Sequence, residues 1–390
     1  MIKNIIQFAK NLAIVFFDSL LMALQLFSVK TSDKKQILVV RLDNIGDAVL
    51  WLGSAQYLCR IYPRKEYDIT LACNQSCIEL YEATKYFDKV IGINRRDFCR
   101  NLFYRYKVLK LINIYTYDSI LNPTFSREFL YSDSIIRICR AKNKIAFFGD
   151  FSNIKKWEKA ISNQWYTKLI PSKEGQVMEL IRNTEFIKFL GYRNIHPQII
   201  EWKWILEYKF NSIDGKYFII FPGASIKYRM WPHERFADIS TRINQLTGWT
   251  IVIAGGAGEE FIADSIIKNL SIHEVRCINL VGKTNLIELA TIIKHAQLLI
   301  GNDTSAIHMA AAVRTPSVCI LGGGHYGRFM PYDVGTEKNN FVMPRVVAKK
   351  MECFNCNWQC RYEFSDNGVW RCIEDIDAKD VWREINILLR

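Results

Sequence analysis

The second half of the chain alternates short apolar runs with longer amphipathic stretches, and this alternation restricts the fold more than any other feature. The apolar runs suit strands buried on both faces, while the stretches between them have the length and apolar period of helices. Strands that alternate with helices predict a parallel sheet with crossover helices. The predicted strands are Tyr217–Phe221, Thr250–Ala254, Cys277–Leu280, Leu298–Ile300 and Ser317–Leu321, and the predicted helices are Pro232–Leu246, Glu259–Leu270, Asn285–Ala296 and Ser305–Val313.

The first half shows the same rhythm less cleanly. Ile37–Arg41 is predicted as a buried strand, and a glycine-containing turn leads from it into a helical stretch at Ala48–Tyr62. A chain of 390 residues is long enough for two cores. The sequence thus predicts an α/β protein with two doubly wound, Rossmann-like domains facing a cleft. The predicted segments are an N-terminal helix at 1–35, α/β domains at 36–210 and 211–374, and a C-terminal helix at 375–390, with further first-domain strands at Ile69–Ala72, Val90–Ile93, Ser119–Leu121 and Lys144–Phe148.

The N-terminal segment is predicted to form an amphipathic helix. No small-residue cleavage site follows its apolar run, and Lys10 and Asp18 leave the run short of the roughly 20 clean apolar residues of a membrane span. Two interpretations stay open: the helix packs on the protein's own core, or it lies in a bilayer interface. Its apolar face contains Ile5, Phe8, Leu12, Val15, Met22 and Leu26, and its narrow polar stripe contains Asn4, Asn11, Asp18 and Gln25.

The charge of the chain favours an anionic partner. Lys and Arg number 52 against 39 Asp and Glu, a formal charge of +13, which suits nucleic acid, anionic lipid or a phosphorylated substrate. The basic residues are spread from Lys3 to Arg390 instead of forming one stripe interleaved with aromatic residues. This distribution argues against nucleic acid.

Four of the eleven cysteines form a dense C-terminal pattern, Cys353-x2-Cys356-x3-Cys360-x11-Cys372. Four thiolates favour zinc or iron, so the pattern predicts one structural metal ion; a cluster of ordinary reduced thiols is the alternative. The other seven lie in apolar or helical contexts, which is typical of free thiols in a reducing compartment.

Asp47 follows the first predicted strand in the segment Arg41-Leu42-Asp43-Asn44-Ile45-Gly46-Asp47. Glycine permits a tight turn there, and a carboxylate at the start of the next helix is well placed as a general base. One such base suffices to deprotonate an acceptor hydroxyl that attacks an anomeric carbon, if the configuration at that carbon is inverted. A helix-capping role for Asp47 is the alternative.

Two strand-to-helix loops of the second half suit phosphate and ribose binding. In Pro222-Gly223-Ala224-Ser225-Ile226-Lys227-Tyr228-Arg229 the small residues let backbone approach a phosphate, and Lys227 and Arg229 supply positive charge. A merely solvated loop is the alternative. In Ala254-Gly255-Gly256-Ala257-Gly258-Glu259-Glu260 an acidic side chain suits a ribose hydroxyl. The glycine spacing that is usual in dinucleotide-binding loops is missing, so no hydride-transfer site is predicted.

The third loop, Gly301-Asn302-Asp303-Thr304-Ser305, opens an alanine-rich helix. Free N–H groups and the positive end of the helix dipole form an anion site. Asp303 and His308 are five residues apart within this segment. The alternative is a capping residue followed by a core histidine.

These segments, in this order, resemble the bacterial heptosyltransferases, glycosyltransferase family 9, which have the two-domain GT-B fold. The resemblance spans about residues 36–335. Besides the loops described, its marks are Gly282-Lys283-Thr284 and Thr315-Pro316. The chain departs from the family at Arg229, where lysine is usual, and at Ser305, where glycine is usual, so the phosphate geometry and the approach of the sugar differ here.

The resemblance implies roles for most of the residues of the predicted active site. Asp47 is expected to be the base of the first, acceptor-side domain, and Ser225 and Arg229 are expected on the donor phosphates. Glu260 is expected at the donor nucleoside or sugar. Asp303, Thr304 and His308 are expected around the donor. Lys227 and Ser305, which lie in the same loops, are expected at the donor site from the chemistry of those loops.

The expected function is therefore inverting transfer of a sugar from an ADP-sugar donor, ADP-heptose by resemblance, to a hydroxyl of lipopolysaccharide core or a related glycan. No cofactor is expected for the chemistry and no nucleic acid as partner. The enzyme is expected in the cytoplasm, peripherally bound to the inner membrane. The alternatives are a sugar-nucleotide epimerase of the same architecture and a non-catalytic nucleotide-binding protein at the membrane surface.

Overall fold

The computed structural model describes residues 2–24, 30–171, 173, 175–208, 213–272, 275–334, 343–365 and 367–390, with side chains from residue 11 onward. The chain divides into two compact units. The first comprises Met1–Ala48, Ser54–Gly175 and Arg182–His196, and the second comprises Val49–Gly53, Gln176–Ile181 and Pro197–Arg390.

The first unit is built on a sheet of six described strands, all parallel, in the order β3-β2-β1-β4-β5-β6. The apolar residues of β1 have no exposed surface, which explains its continuous apolar sequence. The strands are β1 Lys35–Arg41, β2 Tyr67–Asn74, β3 Lys89–Ile93, β4 Tyr117–Asn122, β5 Ala141–Phe147 and β6 Lys168–Ile170. The helices of this part of the chain are α1 Ile2–Ala23, α2 Ile45–Ala55, α3 Leu58–Ile61, α4 Ile78–Thr84, α5 Arg95–Arg100, α6 Leu102–Ile112, α7 Ser134–Ile138, α8 Lys156–Ser162 and α9 Glu179–Phe189.

The second unit repeats this topology, with six described parallel strands in the order β12-β11-β10-β7-β8-β9. The predicted doubly wound architecture is confirmed. Two short strands, β6 and β12, each of three residues, were not predicted. The strands are β7 Tyr217–Phe221, β8 Thr250–Ile253, β9 Cys277–Asn279, β10 Leu299–Asn302, β11 Ser317–Ile320 and β12 Arg345–Val347, and the helices are α10 His233–Thr247, α11 Glu260–Ser271, α12 Leu286–His295, α13 Ser305–Val313, α14 Arg371–Glu374 and α15 Ala378–Leu388.

Helix α1 packs on the first unit through a mixed face, in which the polar Asn11 and Asp18 alternate with the apolar Ile14 and Leu21. Asp18 is buried and forms an ion pair with Arg105 of α6, and Asn11 donates a hydrogen bond to Glu158. Residues of the predicted apolar face are exposed instead, including Leu12 and Met22. The predicted positions Gln25 and Leu26 lie outside the described residues, as do the side chains of Asn4, Ile5 and Phe8.

Within the described ranges, none of the helices combines the length and apolar character that crossing a bilayer requires.

Candidate active site

The loops that follow β7 and β10 lie at the topological switch point of the second sheet. These two strands are neighbours, and the chain leaves them in opposite directions along the sheet, toward β8 and toward β11. Ligands of doubly wound folds bind at this point, beyond the carboxyl ends of the strands. Asn302 at the end of β10 joins the two loops: its side chain donates to the carbonyl of Pro222 at 2.6 Å and accepts from the N–H of Trp231 at 3.1 Å.

Arg229 links the same two loops through charge. Its guanidinium donates to the carbonyl of Asp303 at 3.1 Å and to the carboxylate of Asp303 at 3.3 Å. It also lies 3.4 Å from the hydroxyl of Ser225. Lys227, in contrast, is exposed, and its ammonium lies 5.1 Å from the ring centre of Tyr228. The structure therefore places Arg229, and not Lys227, beside Asp303.

Helix α13 begins directly after this cluster. Thr304 precedes its first turn in extended conformation, and Ser305 is its first residue. The buried hydroxyl of Thr304 has no hydrogen-bond partner among the described residues. The free N–H groups at the start of the helix and the Arg229 guanidinium together suit an anion with several oxygens, such as a diphosphate.

His308 lies one turn further along α13 and is buried. Its Nδ1 atom is 2.5 Å from the hydroxyl of Tyr332. Burial lowers the pKa of His308, and the nearby charge of Asp303 opposes this shift in part. The imidazole is therefore neutral at physiological pH. Its predicted place around the donor stays a prediction.

Glu260 and Glu259 stand at the carboxyl end of β8. Glu260 is exposed, accepts a hydrogen bond from the N–H of Gly258 at 2.9 Å and lies beside Gly282. Hydrogen bonds from its own N–H and that of Gly258 lower the pKa of Glu260. Gly282 has a φ of +68°, and a Cβ atom there would stand 3.0 Å from the Glu260 carboxylate. This crowding explains the glycine of the Gly282-Lys283-Thr284 segment.

Glu259 is a candidate that sequence reasoning missed. Its carboxylate accepts from the N–H of Gly256 at 2.8 Å and lies where a Cβ atom of Gly223 would be. It therefore contacts the same loop that carries Ser225. Partial burial raises the pKa of Glu259, and the hydrogen bond from the N–H of Gly256 opposes this shift in part. The only signal in the sequence was its position next to Glu260.

In the first unit, Asp47 lies in the first turn of α2, as predicted for a carboxylate at a helix start. A second carboxylate, Asp43, stands four residues earlier. Asp43 forms an ion pair with the buried Arg41 at 3.0 Å and accepts a hydrogen bond from Thr124 at 3.2 Å. Because Thr124 follows β4 and Asp43 follows β1, this contact connects the two loops at the switch point of the first sheet.

The four C-terminal cysteines line one small pocket together with Gly323, Trp358 and Trp370. Burial raises the pKa of the Cys372 thiol, and the other three cysteines are close enough to raise it further. Among the described residues, however, no three Cys, His, Asp or Glu side chains are arranged as metal ligands. The structure thus gathers the four thiols in one place but does not show the predicted metal site, which stays a prediction.

The sequence of the chain is similar to known glycosyltransferases. The profile of glycosyltransferase family 9 (heptosyltransferase) matches residues 107–358. Lipopolysaccharide heptosyltransferase 3 of Escherichia coli is 25% identical over 301 residues, which cover 74% of this chain and 83% of that protein. Lipooligosaccharide heptosyltransferase 2 of Haemophilus ducreyi is 24% identical over 374 residues, covering 91% of this chain and 99% of that protein.

Two solved structures extend the comparison to the fold. A glycosyl transferase family 9 protein from Veillonella parvula superposes with a TM-score of 0.66 at 18% identity, covering 93% of this chain and 99% of that one. The dodecameric iron-containing heptosyltransferase TibC, in complex with ADP-D-beta-D-heptose, superposes with a TM-score of 0.53 at 14% identity, covering 93% and 78%. The predicted GT-B architecture is confirmed by this likeness.

Proposed function

The chain belongs to glycosyltransferase family 9, the heptosyltransferases, and from that premise we propose that it transfers heptose from ADP-heptose to a glycan hydroxyl with inversion. As a member of this family it is a glycosyltransferase, so the epimerase and the non-catalytic binding protein are set aside. The proposed acceptor is lipopolysaccharide core or a related glycan, by analogy with the functions of the relatives.

One observation carries the donor assignment: a guanidinium and a helix start meet at the switch point of the second sheet. Arg229 is held against Asp303, and α13 begins with the next residues. The leaving group of a nucleotide-sugar donor is a diphosphate, which gains negative charge as the glycosidic bond breaks. Fixed donors aimed at that charge stabilise the transition state. Ser225, Thr304 and Ser305 supply further hydrogen-bond donors nearby, and we assign Glu260 to the donor nucleoside or sugar.

Asp47 is proposed as the general base. The acceptor oxygen attacks the anomeric carbon, the bond from that carbon to the diphosphate oxygen breaks, ADP leaves and the hydroxyl proton passes to Asp47. Of the two carboxylates in this turn, we choose Asp47 because it lies in the first turn of α2, at the position where the resemblance to the family implies the base.

The test replaces Asp47 by asparagine and measures turnover and donor binding separately. Loss of a general base should lower kcat by about 100-fold or more, while the Kd for ADP-heptose changes less than about twofold. Asp380→Asn is the matched control, because Asp380 also lies in the first turn of a helix, α15. Transfer products would be identified by mass spectrometry and their anomeric configuration by NMR. Full turnover by Asp47→Asn, or a product of retained configuration, would contradict the proposal.

We further propose that the enzyme works at the cytoplasmic face of the inner membrane, bound through α1. The outward face of this helix carries Leu12, Phe16 and Leu20, and Leu24 follows directly after its last residue; these side chains are 47%, 72%, 44% and 57% exposed. Their spacing of four residues places them in one stripe along the helix. An apolar stripe on a chain with a formal charge of +13 suits a surface of anionic phospholipid.

Vesicle binding tests this second proposal. Phe16→Glu should abolish co-sedimentation with vesicles containing phosphatidylglycerol. Phe261→Glu should leave it intact, because Phe261 is a comparably exposed phenylalanine, 62%, on α11 of the second unit. Equal binding of the two variants would assign membrane affinity to another surface.

No cofactor takes part in the proposed chemistry. For the four C-terminal cysteines we propose a structural zinc or iron ion, since four thiols gathered in one pocket form a soft ligand set.

A further inference from the structure

Arg229 is held on a second side by an aromatic ring. The centre of its guanidinium lies 4.3 Å from the ring centre of Trp358. Guanidinium groups stack on aromatic faces, and the contact restricts their rotation while leaving the in-plane N–H groups available. With Asp303 contacting its edge and Trp358 its face, Arg229 has little freedom to leave its position.

Trp358 is itself fixed by several contacts. Its indole stacks on Trp370 at 5.0 Å between ring centres, and its N–H donates to Nδ1 of His325 at 3.2 Å. The other ring nitrogen of His325 lies 2.6 Å from the side-chain oxygen of Asn357. Since Nδ1 accepts, Nε2 carries the hydrogen and donates to Asn357. A Cβ atom at Gly324 would overlap the indole, so the ring lies directly on the backbone after β11.

The backbone around Trp358 adopts a conformation that bulky residues rarely take. Asn355, Asn357 and Trp358 have φ angles of +69°, +51° and +59°. Asparagine tolerates this region, but tryptophan does not adopt it without support from its surroundings. The support is visible: the N–H of Asn355 donates to the carbonyl of Gly323 at 2.7 Å, and that of Asn357 to Gly324 at 3.0 Å. The cysteine-rich loop is thereby held so that the indole faces Arg229.

We propose that Trp358 is a positioning residue for the donor diphosphate, and that the loop from Cys353 to Cys360 serves to present its indole to Arg229. The proposal rests on the proposed function, in which Arg229 binds that diphosphate. Trp358 touches no reacting atom in it. Its effect passes through the orientation of the guanidinium, so removing the indole should weaken donor binding much more than it slows the bound complex.

The experiment compares Trp358→Ala and Trp358→Phe in the full chain, with ADP as the probe for calorimetry and ADP-heptose for kinetics. Trp358→Ala should raise the Kd for ADP and the donor KM by about tenfold, with kcat within about twofold. Trp358→Phe keeps a ring under Arg229 and should lie between this variant and the wild type. Trp382→Ala is the matched control, because the guanidinium of Arg242 lies 3.8 Å from the ring centre of Trp382 in the same unit. This variant should leave ADP binding unchanged.

A double-mutant cycle separates positioning from general loss of structure. In an Arg229→Ala background, Trp358→Ala should have no further effect on the Kd for ADP. Equal effects with and without Arg229, or no effect of Trp358→Ala in folded protein, would overturn the proposal. If Arg229→Ala alone leaves ADP binding unchanged, the donor-site assignment itself fails. If Arg229→Ala weakens binding and Trp358→Ala does not, only the positioning role fails.

Discussion

Replacing Asp18 by asparagine tests whether the buried ion pair attaches α1 to the first unit. The carboxylate of Asp18 accepts two hydrogen bonds from Arg105, at 2.8 Å and 2.6 Å, and the two side chains are 1% and 0% exposed. Arg105 also donates to the hydroxyl of Ser134 at 2.8 Å. The geometry is bidentate, and its hydrogen bonds are well formed.

The expected loss of unfolding free energy follows from the buried charge that the substitution leaves unpaired. Asparagine keeps the shape of the side chain but leaves the guanidinium of Arg105 buried without a countercharge. Breaking a buried pair in this way costs about 3–5 kcal/mol of unfolding free energy. For an exposed pair the cost is about 0–1 kcal/mol. Asp380→Asn provides that comparison, since Asp380 and Arg383 are 40% and 68% exposed.

Urea unfolding followed by circular dichroism would measure both variants, with hydrogen exchange of the α1 amides to locate the change. The double variant Asp18→Leu/Arg105→Met should recover much of the loss, because it removes both charges and fills the site with apolar groups. If Asp18→Asn lowers the unfolding free energy no more than Asp380→Asn, the ion pair does not hold the helix, and the exposure of Leu12 and Met22 has another cause.

Three further predictions concern the second unit. Arg229→Ala should raise the donor Kd by about 10–100-fold through loss of charge-assisted hydrogen bonds, and Lys227→Ala should raise it by less than about threefold. The reverse ranking in calorimetry would show that Lys227, and not Arg229, binds the phosphate. Elemental analysis of purified protein should find about one zinc or iron per chain, with Cys356→Ser lowering both metal content and melting temperature; metal-free protein with four titratable thiols would exclude the site. Because the pKa of His308 is lowered in the folded state, the unfolded chain binds its proton more readily, so stability should decrease as the pH falls below 6.5. In urea unfolding from about pH 8 to about pH 5, His308→Gln should show a smaller decrease, and an unchanged pH dependence would argue against a buried neutral imidazole.

Much of the architecture followed from local pattern. Apolar runs and helical periods predicted nine of the elements of the second unit with small shifts at their ends, because strands buried on both faces and amphipathic helices leave distinct local signatures. Asn285 and Glu288 form a capping box at the start of α12. A cap depends on residues three apart, so the sequence alone contains the information. The same holds for the order of the loops, which carried the resemblance to the family.

The tertiary structure decided which side chains meet, because their partners are distant in the chain. Arg229 and Asp303 are 74 residues apart, and before the structure only the resemblance to the family favoured Arg229 over Lys227. The buried side of α1 meets Arg105 through Asp18, which is 87 residues away in the chain. No periodic pattern in the sequence marks Trp358. Its indole lies beside Arg229 because the cysteine-rich loop is hydrogen-bonded to the backbone that follows β11. The sequence by itself thus determined most of the secondary-structure elements and the family of the chain. The pairing of charges and rings arose from packing, which brings residues together without regard to their separation in the chain.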